Sequence, residues 1–132
     1  RYFNVYGEGQ HQSGQYAPVM SIFKRQKENK EPLSIVEPGY QTRDFVHVSD
    51  VVYANVLASQ RELEKYGEVF NIGTGEGTEI QTIADLISDY QITIPARPGE
   101  VMHSRANIDK VKETLGWKWS TKVVDWIKKN LK

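Results

Sequence analysis

Two residue patterns alternate along the chain, and this alternation constrains the fold more than any other feature of the sequence. Short runs rich in Val, Ile, Phe and Tyr have the composition of β-strands, and longer stretches between them repeat apolar residues at the spacing of an amphipathic helix. Glycine and proline lie at several boundaries between the two patterns. Strands that alternate with helices predict an α/β fold.

The predicted strands are few and short. They cover residues 1–6, 33–36, 44–48, 68–72 and 91–96. Five helices are predicted, over residues 16–29, 49–64, 78–87, 107–115 and 120–131. Their candidate N-caps are Ser49, Thr78 (in a capping box with Gln81), Asn107 and Ser120. A complete doubly wound sheet would need more strands, and the chain opens within a strand, so we expect residues 1–132 to be one domain of a longer protein.

The composition limits the classes of partner. Seventeen basic side chains balance seventeen acidic ones, so no charge excess predicts binding to nucleic acid or a membrane surface. Cysteine is absent, which excludes disulfides, cysteine-based zinc sites and cysteine nucleophiles. No apolar run reaches the roughly 18 residues of a membrane span. A soluble, cytoplasmic protein is therefore expected.

The sequence contains no recognisable catalytic constellation. His11, His47 and His103 lack the spacing of metal ligands and have no acidic cluster near them, so no metal site is predicted. None of the seven tyrosines is followed four residues later by a lysine, the arrangement that would indicate a proton-transfer pair. We therefore predict no catalytic residue within this chain.

A glycine-rich segment, Gly73-Thr-Gly75, follows a predicted strand and precedes a helix, the setting of a dinucleotide-binding fingerprint. The details differ from that fingerprint. Thr78 stands where the third glycine belongs, and Glu76 would place a negative charge beside a pyrophosphate. The segment is interpreted as a tight turn beside a ligand pocket rather than as a cofactor phosphate site.

Arg43 and Arg97 differ from the other basic residues in their position. Both lie at the ends of predicted strands, where α/β proteins commonly bind ligands. The planar guanidinium can donate two parallel hydrogen bonds to one phosphate. Spacing alone leaves two interpretations open, a pair of phosphate ligands and a pair of surface ion-pair residues.

Four segments occur in a characteristic order: Arg1-Tyr-Phe-Asn-Val-Tyr-Gly7, Gln41-Thr-Arg-Asp-Phe-Val-His-Val-Ser-Asp50, Phe70-Asn-Ile-Gly-Thr-Gly75, and Arg97-Pro-Gly-Glu100 followed by Leu115-Gly-Trp117. In this order and spacing they resemble the second half of the UDP-glucose 4-epimerase family, which belongs to the extended short-chain dehydrogenases. The resemblance covers essentially the whole chain. It implies the C-terminal, substrate-binding portion of an extended Rossmann-type enzyme.

The resemblance also implies roles for individual residues. Phe3 would lie against the nicotinamide cofactor, and Asn4 would contact the sugar diphosphate. Arg43 and Arg97 would clamp the diphosphate. The other implied substrate neighbours are Pro18 and Val19 at the start of a helix, Ser34, Ile35 and Val36 on the base-holding strand, and Pro98, Gly99, Glu100 and Ser104 on the diphosphate wall.

The sequence departs from the family pattern at several places, of which two bear on the site. Glu8-Gly9 stands where relatives often have Pro-Arg, and Val36 replaces an aromatic residue that stacks on the base in some relatives. The second departure leaves the preferred base open.

The resemblance places the glycine fingerprint, the Tyr–Lys pair and most of the NAD site upstream of Arg1. The parent protein would be a homodimeric, NAD-dependent nucleotide-sugar epimerase or dehydratase, and this chain alone would be inactive. Two other interpretations are a stand-alone, non-catalytic nucleotide-sugar binding module and a structural or dimerisation fragment.

Overall fold

The computed structural model describes residues 1–11, 14, 17–63, 65–96 and 98–131. The described residues form five helices: α1 (Val19–Glu28), α2 (Val48–Gln60), α3 (Ile80–Ile87), α4 (Asp109–Leu115) and α5 (Val123–Asn130). They also form six short strands: β1 (Asn4–Tyr6), β2 (Leu33–Val36), β3 (Thr42–Arg43), β4 (Phe45–His47), β5 (Thr78–Glu79) and β6 (Gln91–Ile94). The predicted α/β class and the short strands are confirmed.

The strands pair two by two rather than in one continuous sheet. β1 lies parallel to β4 with Val5 opposite Val46, and β2 lies parallel to β6 with Ser34 opposite Ile92. β3 and β5 pair antiparallel, with Arg43 opposite Thr78. Because β3 and β4 are separated only by Asp44, this segment connects two of the pairs.

Two hydrophobic cores lie on either side of β4. Phe45 packs into the first core, which α1, α3, α5 and β2 complete with side chains such as Phe23 and Ile127. Val46 packs into the second core, which includes Trp117. Successive side chains of a strand point to opposite faces, so one short strand serves both cores.

Asp50 joins the C-terminal segment to α2. Its buried carboxylate accepts hydrogen bonds from the Ser120 amide (3.0 Å), the Ser120 hydroxyl (2.8 Å) and the Thr121 amide (3.1 Å). The Trp117 indole N–H donates to the Asp50 carbonyl at 2.9 Å. The position of α5 is therefore set by a polar anchor as well as by apolar packing.

Two predictions about strands need correction. Residues 68–72 form no regular strand; Ile72 makes only an isolated parallel bridge to Tyr2. The predicted strand over 44–48 is shorter, at Phe45–His47, because Val48 already belongs to α2.

The four predicted N-caps were also wrong. His47, rather than Ser49, caps α2, since its Nδ1 accepts the Ser49 amide at 3.3 Å. Thr78 is held in β5, so α3 begins at Ile80 without the capping box. Ser120 bonds to Asp50 instead of capping α5. Asn107 lies one residue before Ile108, the N-cap of α4, and its Oδ1 accepts the Asp109 amide at 3.0 Å, so it supports the start of the helix without being its N-cap.

No helix within the described part of the chain combines the length and the apolar character needed to cross a membrane.

Candidate functional site

A cavity of about 190 Å³ lies among α1, the strand pairs and the start of α3. Its apolar lining comes from Ala17, Val19, Ile22, Phe23, Val36, Ile80 and Ile94. Its polar lining comes from Asn4, Ser34, Gln41, Arg43 and Glu100. An apolar cavity with a small number of convergent polar groups is the usual form of a small-molecule site.

Arg43 is the cationic group of this cavity. One Nη1 hydrogen is donated to the Thr42 carbonyl at 3.0 Å and the other to the Val101 carbonyl at 2.6 Å, while Nη2 forms an ion pair with Glu100. A guanidinium has five N–H donors. Among the described residues, one Nη2 hydrogen and the Nε hydrogen remain without a protein acceptor. The guanidinium is thus fixed in orientation and still able to donate to a ligand.

Glu100 forms an ion pair with Arg43 in the cavity lining, and both side chains are mostly shielded from solvent. The exposed fraction is 17% for the Arg43 side chain and 22% for that of Glu100. Because the pair is only partly desolvated, an anion can reach the guanidinium without opening a buried core. A second anion at Arg43 must either share the guanidinium with the Glu100 carboxylate or displace it.

Ser34 is held on the cavity wall by α1. The Gln26 amide group donates to the Ser34 hydroxyl at 2.9 Å and accepts from the Ser34 backbone amide at 3.1 Å. A hydroxyl is both a donor and an acceptor, so Ser34 retains a hydrogen to donate. Its neighbour Ile35 points the other way, into the first core, and is only 4% exposed.

The structure brings together six of the residues that the family resemblance singled out. These are Asn4, Val19, Ser34, Val36, Arg43 and Glu100. These residues come from five separate parts of the chain, and their spacing along the sequence does not predict that they meet.

The other predicted residues that the structure describes lie outside this lining. Phe3 packs partly against the second core, and Ile35 is in the first. Pro18 is the residue that precedes α1, and the Ser104 amide donates to the Thr42 carbonyl at 3.2 Å. Pro98 and Gly99 form an exposed turn. Arg97 lies outside the described residues, so its predicted role stays a prediction.

Sequence reasoning missed several residues of the lining. Ala17, Ile22, Phe23, Ile80 and Ile94 are apolar positions that read as ordinary core. Gln41 belongs to one of the recognised segments, two residues before Arg43. Alternation along an extended segment places these two side chains on the same face, and this was the available signal for Gln41.

The glycine-rich turn does not resemble a phosphate cradle. The Asp44 carboxylate, which is fully buried, accepts the Thr74 amide at 2.6 Å, the Thr74 hydroxyl at 2.7 Å and the Gly75 amide at 2.9 Å. It also accepts the Ala106 amide at 3.0 Å. A methyl group at Gly73 would lie 2.8 Å from Asp44 Oδ2 and 2.7 Å from Ala106 Cβ. The glycine is thus required by close packing, and the turn's amides already have an anionic partner.

The chain is similar to known proteins along most of its length. Residues 1–73 match the family described as NAD dependent epimerase/dehydratase family. A putative UDP-glucose 4-epimerase from Methanocaldococcus jannaschii is 40% identical over 98% of this chain. The chain belongs to the NAD-dependent epimerase/dehydratase family.

Solved members of the epimerase/dehydratase family share its fold. The UDP-glucose 4-epimerase of Thermotoga maritima, solved with UDP-glucose, superposes with a TM-score of 0.86 at 38% identity over 97% of this chain. The UDP-glucuronic acid 4-epimerase of Bacillus cereus, solved with UDP-glucuronic acid and NAD, gives 0.84 at 29% identity over 95%. The family and the fold class expected from the sequence are both confirmed.

The chain spans less than half of these relatives. It covers 45% of the Methanocaldococcus protein, 42% of the Thermotoga structure and 40% of the Bacillus structure. Their activities as whole proteins therefore bear on this chain only as proposals.

The described residues contain no candidate metal cluster, and the buried Tyr6 is not suited to proton transfer. No group of three or more His, Cys, Asp or Glu side chains in that part of the chain could hold a metal ion. Burial raises the pKa of Tyr6, with further contributions from the carboxylates of Asp50, Asp125 and Glu8. A tyrosine that transfers protons near neutral pH needs a shift in the opposite direction.

Proposed function

We propose that the chain binds the nucleotide-diphosphate part of a UDP-like nucleotide sugar for an NAD-dependent epimerase or dehydratase whose catalytic half lies upstream. In this proposal residues 1–132 are its C-terminal substrate-binding domain. The observation that carries the proposal is the cavity itself, since six residues expected to contact substrate converge there in a member of the family.

Arg43 would bind the diphosphate. Its orientation is set by two backbone carbonyls and by Glu100, and two of its N–H donors are free of protein acceptors among the described residues. A charge-assisted hydrogen bond of this kind contributes about 1.5–3 kcal/mol. Arg97 is proposed as the second cation of the clamp, with Pro98, Gly99 and Ser104 on the same wall.

The apolar lining would hold the base. Val19, Ile22, Val36 and Ile94 offer the surface that a flat ring prefers, and Ser34 offers a hydroxyl beside it. Ile35, whose side chain is in the core, would contribute through its backbone in this proposal. Asn4 and Pro18 would lie nearer the phosphates and the ribose.

The cavity is small for a whole nucleotide sugar, which supports a binding site shared with the upstream half. Ligand pockets for whole small molecules enclose roughly 300–1,000 Å³, and this cavity encloses about 190 Å³. It therefore suits part of a nucleotide sugar better than the whole. The sugar and the NAD would be held mainly by the upstream half, with Phe3 as the proposed contact to the cofactor.

The residues of the chain do not fit an NAD site by themselves. The Thr74 and Gly75 amides, which would have to cradle a pyrophosphate, are occupied by Asp44. NAD supplies hydride transfer when it is bound in the parent protein. This chain would hold the substrate in position. Holding the non-reacting nucleotide fixes the sugar in place, and remote binding energy of this kind can raise the rate of reaction.

The proposal is tested on Arg43 in the natural full-length gene product. We expect Arg43→Ala to weaken UDP binding about 10- to 100-fold, since about 1.5–3 kcal/mol is lost, and to raise the Michaelis constant while the NAD content stays unchanged. Isothermal titration with UDP and steady-state kinetics measure the two effects. Arg43→Lys keeps the positive charge but lacks the planar guanidinium. Its UDP affinity should therefore lie between those of wild type and Arg43→Ala.

Arg61→Ala, at an exposed arginine outside the cavity lining, is the matched control and should leave both quantities unchanged. Equal UDP affinity in wild type and Arg43→Ala, with both folded by circular dichroism, would contradict the proposed clamp. Binding without any turnover in the full-length protein would instead favour a non-catalytic binding module.

A further inference from the structure

The outward face of α2 differs in composition from the surfaces of the other helices. Its exposed side chains are all uncharged: Val48, Ser49, Val52, Tyr53, Asn55, Val56, Ser59 and Gln60. Each of the other four described helices exposes at least one charged side chain, such as Glu28, Asp85, Lys112 and Lys128. The one charged residue of α2, Asp50, is buried and bonded to the C-terminal segment.

The opposite face of α2 is already buried, since Val51 and Ala54 belong to the second hydrophobic core. On the outward face, Val52 is 56% exposed, Tyr53 49% and Val56 43%. A helix that is apolar on all sides is normally enclosed by protein on all sides. An exposed apolar patch marks an interaction surface. In this chain α2 is therefore covered on one side only, and its composition predicts a partner on the other.

Tyr2 extends the outward face of α2. Its side chain is 56% exposed, and its hydroxyl donates to Asn55 Oδ1 at 2.9 Å. The Asn55 side-chain amide donates in turn to the Val51 carbonyl at 2.8 Å, so the Tyr2 ring is held beside the helix. The centres of protein interfaces are rich in aromatic residues and poor in charged ones. Because this face offers no charge to pair with, the matching surface of the partner should be apolar and uncharged.

The position of Arg1 indicates which partner covers the face. Arg1 and Tyr2 line a groove of about 320 Å³ together with Ala54 and Asn55 of α2. In the parent protein of the proposed function, the upstream residues are joined to Arg1 and therefore lead away from the side of α2. This chain covers 45% of the Methanocaldococcus relative and 42% of the Thermotoga structure. An upstream half of matching size would thus be attached next to the uncovered face.

We propose that the outward face of α2, together with Tyr2, is the surface on which the upstream half docks through an apolar, uncharged face of its own. This inference rests on the proposed function, and it names the part of this chain that holds the two halves together. A second copy of the chain is the other possible occupant. The attachment at Arg1 favours the upstream half, because a tethered partner reaches a neighbouring surface at high effective concentration.

The test measures whether the face is covered in the natural full-length gene product. The 132 residues contain no cysteine, so Val52→Cys introduces a thiol whose labelling is read by mass spectrometry from one tryptic peptide, residues 44–61. We expect N-ethylmaleimide to label this thiol at least about tenfold more slowly in the native protein than in urea, because a docked side chain reacts only when the interface opens. The rate should not depend on protein concentration, since both halves belong to one chain.

Glu113→Cys is the matched control. Glu113 is exposed on α4, a helix with a charged outer surface. Its thiol should react at nearly the same rate in the native and the unfolded protein. Val56→Cys, one turn further along the same face, replaces Val52→Cys if that variant does not fold, and it should be protected to a similar extent.

The outcomes separate this inference from the proposed function. Rapid labelling of Val52→Cys in the folded full-length protein would overturn the inference. Protection that disappears on dilution, while sedimentation shows the protein dissociating, would place a second copy on the face and overturn it as well. UDP-sugar turnover is measured on the same preparation. Turnover with rapid labelling would leave the proposed function intact, whereas protection without turnover or UDP binding would contradict the proposed function alone. A natural gene product no longer than this chain would contradict both.

Discussion

Tyr6 shows how the fold changes the chemistry of a single residue. The sequence presents it as one of seven tyrosines, but its ring is enclosed by Phe45, His47 and Trp126 and its hydroxyl donates to the Thr121 carbonyl at 3.2 Å. Burial raises its pKa, and the nearby carboxylates of Asp50, Asp125 and Glu8 raise it further. The folded protein therefore disfavours the tyrosinate.

The sign of the resulting pH dependence follows from linkage. The folded pKa of Tyr6 lies above the unfolded value of about 10, so the contribution to stability is complete below pH 10 and is lost as the pH rises above it. We expect the difference in free energy of unfolding between wild type and Tyr6→Phe to fall by about 1.4 kcal/mol per pH unit above pH 10. Urea denaturation between pH 8 and pH 11 measures it.

Tyr66→Phe is the control for this measurement, because the Tyr66 side chain is fully exposed. The Tyr6→Phe difference should change more with pH than the Tyr66→Phe difference. A Tyr6→Phe difference that stays constant up to pH 11 would show that Tyr6 ionises equally well in the folded and unfolded chains.

At the scale of elements, the Asp44 carboxylate holds the turn at residues 73–75. The carboxylate lies between β3 and β4 and receives four hydrogen bonds from the turn and from Ala106. One side chain thus fixes the turn, the segment before α4 and the strand that follows Arg43.

We expect Asp44→Asn to lower the free energy of unfolding by about 3 kcal/mol, because an amide replaces an acceptor oxygen that faces N–H donors. Urea denaturation measures this change. Asp89→Asn, at an exposed position, should change stability by less than about 0.5 kcal/mol. A similarly small effect at Asp44 would mean that the turn is held by packing around Gly73 and not by the carboxylate.

At the scale of the whole molecule, we propose that this chain supplies substrate binding and that an upstream half supplies hydride and proton transfer. We expect the purified 132-residue chain to show no epimerase or dehydratase turnover of UDP-sugars, and the natural full-length gene product to show it. Product analysis by nuclear magnetic resonance measures both. Turnover by the chain alone would contradict the assignment of catalysis to an upstream half.

The same comparison addresses the rival interpretations at this scale. A full-length product no longer than this chain, which binds UDP without turnover, would favour a stand-alone binding module. A chain that binds no nucleotide in either form would favour a structural or dimerisation role. The proposed homodimer of the parent is checked by its sedimentation coefficient.

The sequence by itself determined the α/β class, the family and the identity of several cavity residues. The class follows from local residue patterns, and the family and the cavity residues follow from ordered motifs such as Gln41 to Asp50, which can be recognised in the sequence alone. The approximate positions of α1 and β2 also follow, because apolar periodicity is a local property of the chain.

Only the tertiary structure decided how polar groups are paired. Ser120 and Thr78 have the local chemistry of helix caps, but Asp50 and β3 compete for them from 70 and 35 residues away. Asp44 converts a turn that resembles a cofactor loop into a buried carboxylate site. Each outcome depends on a partner distant in sequence, and local pattern holds no information about such partners.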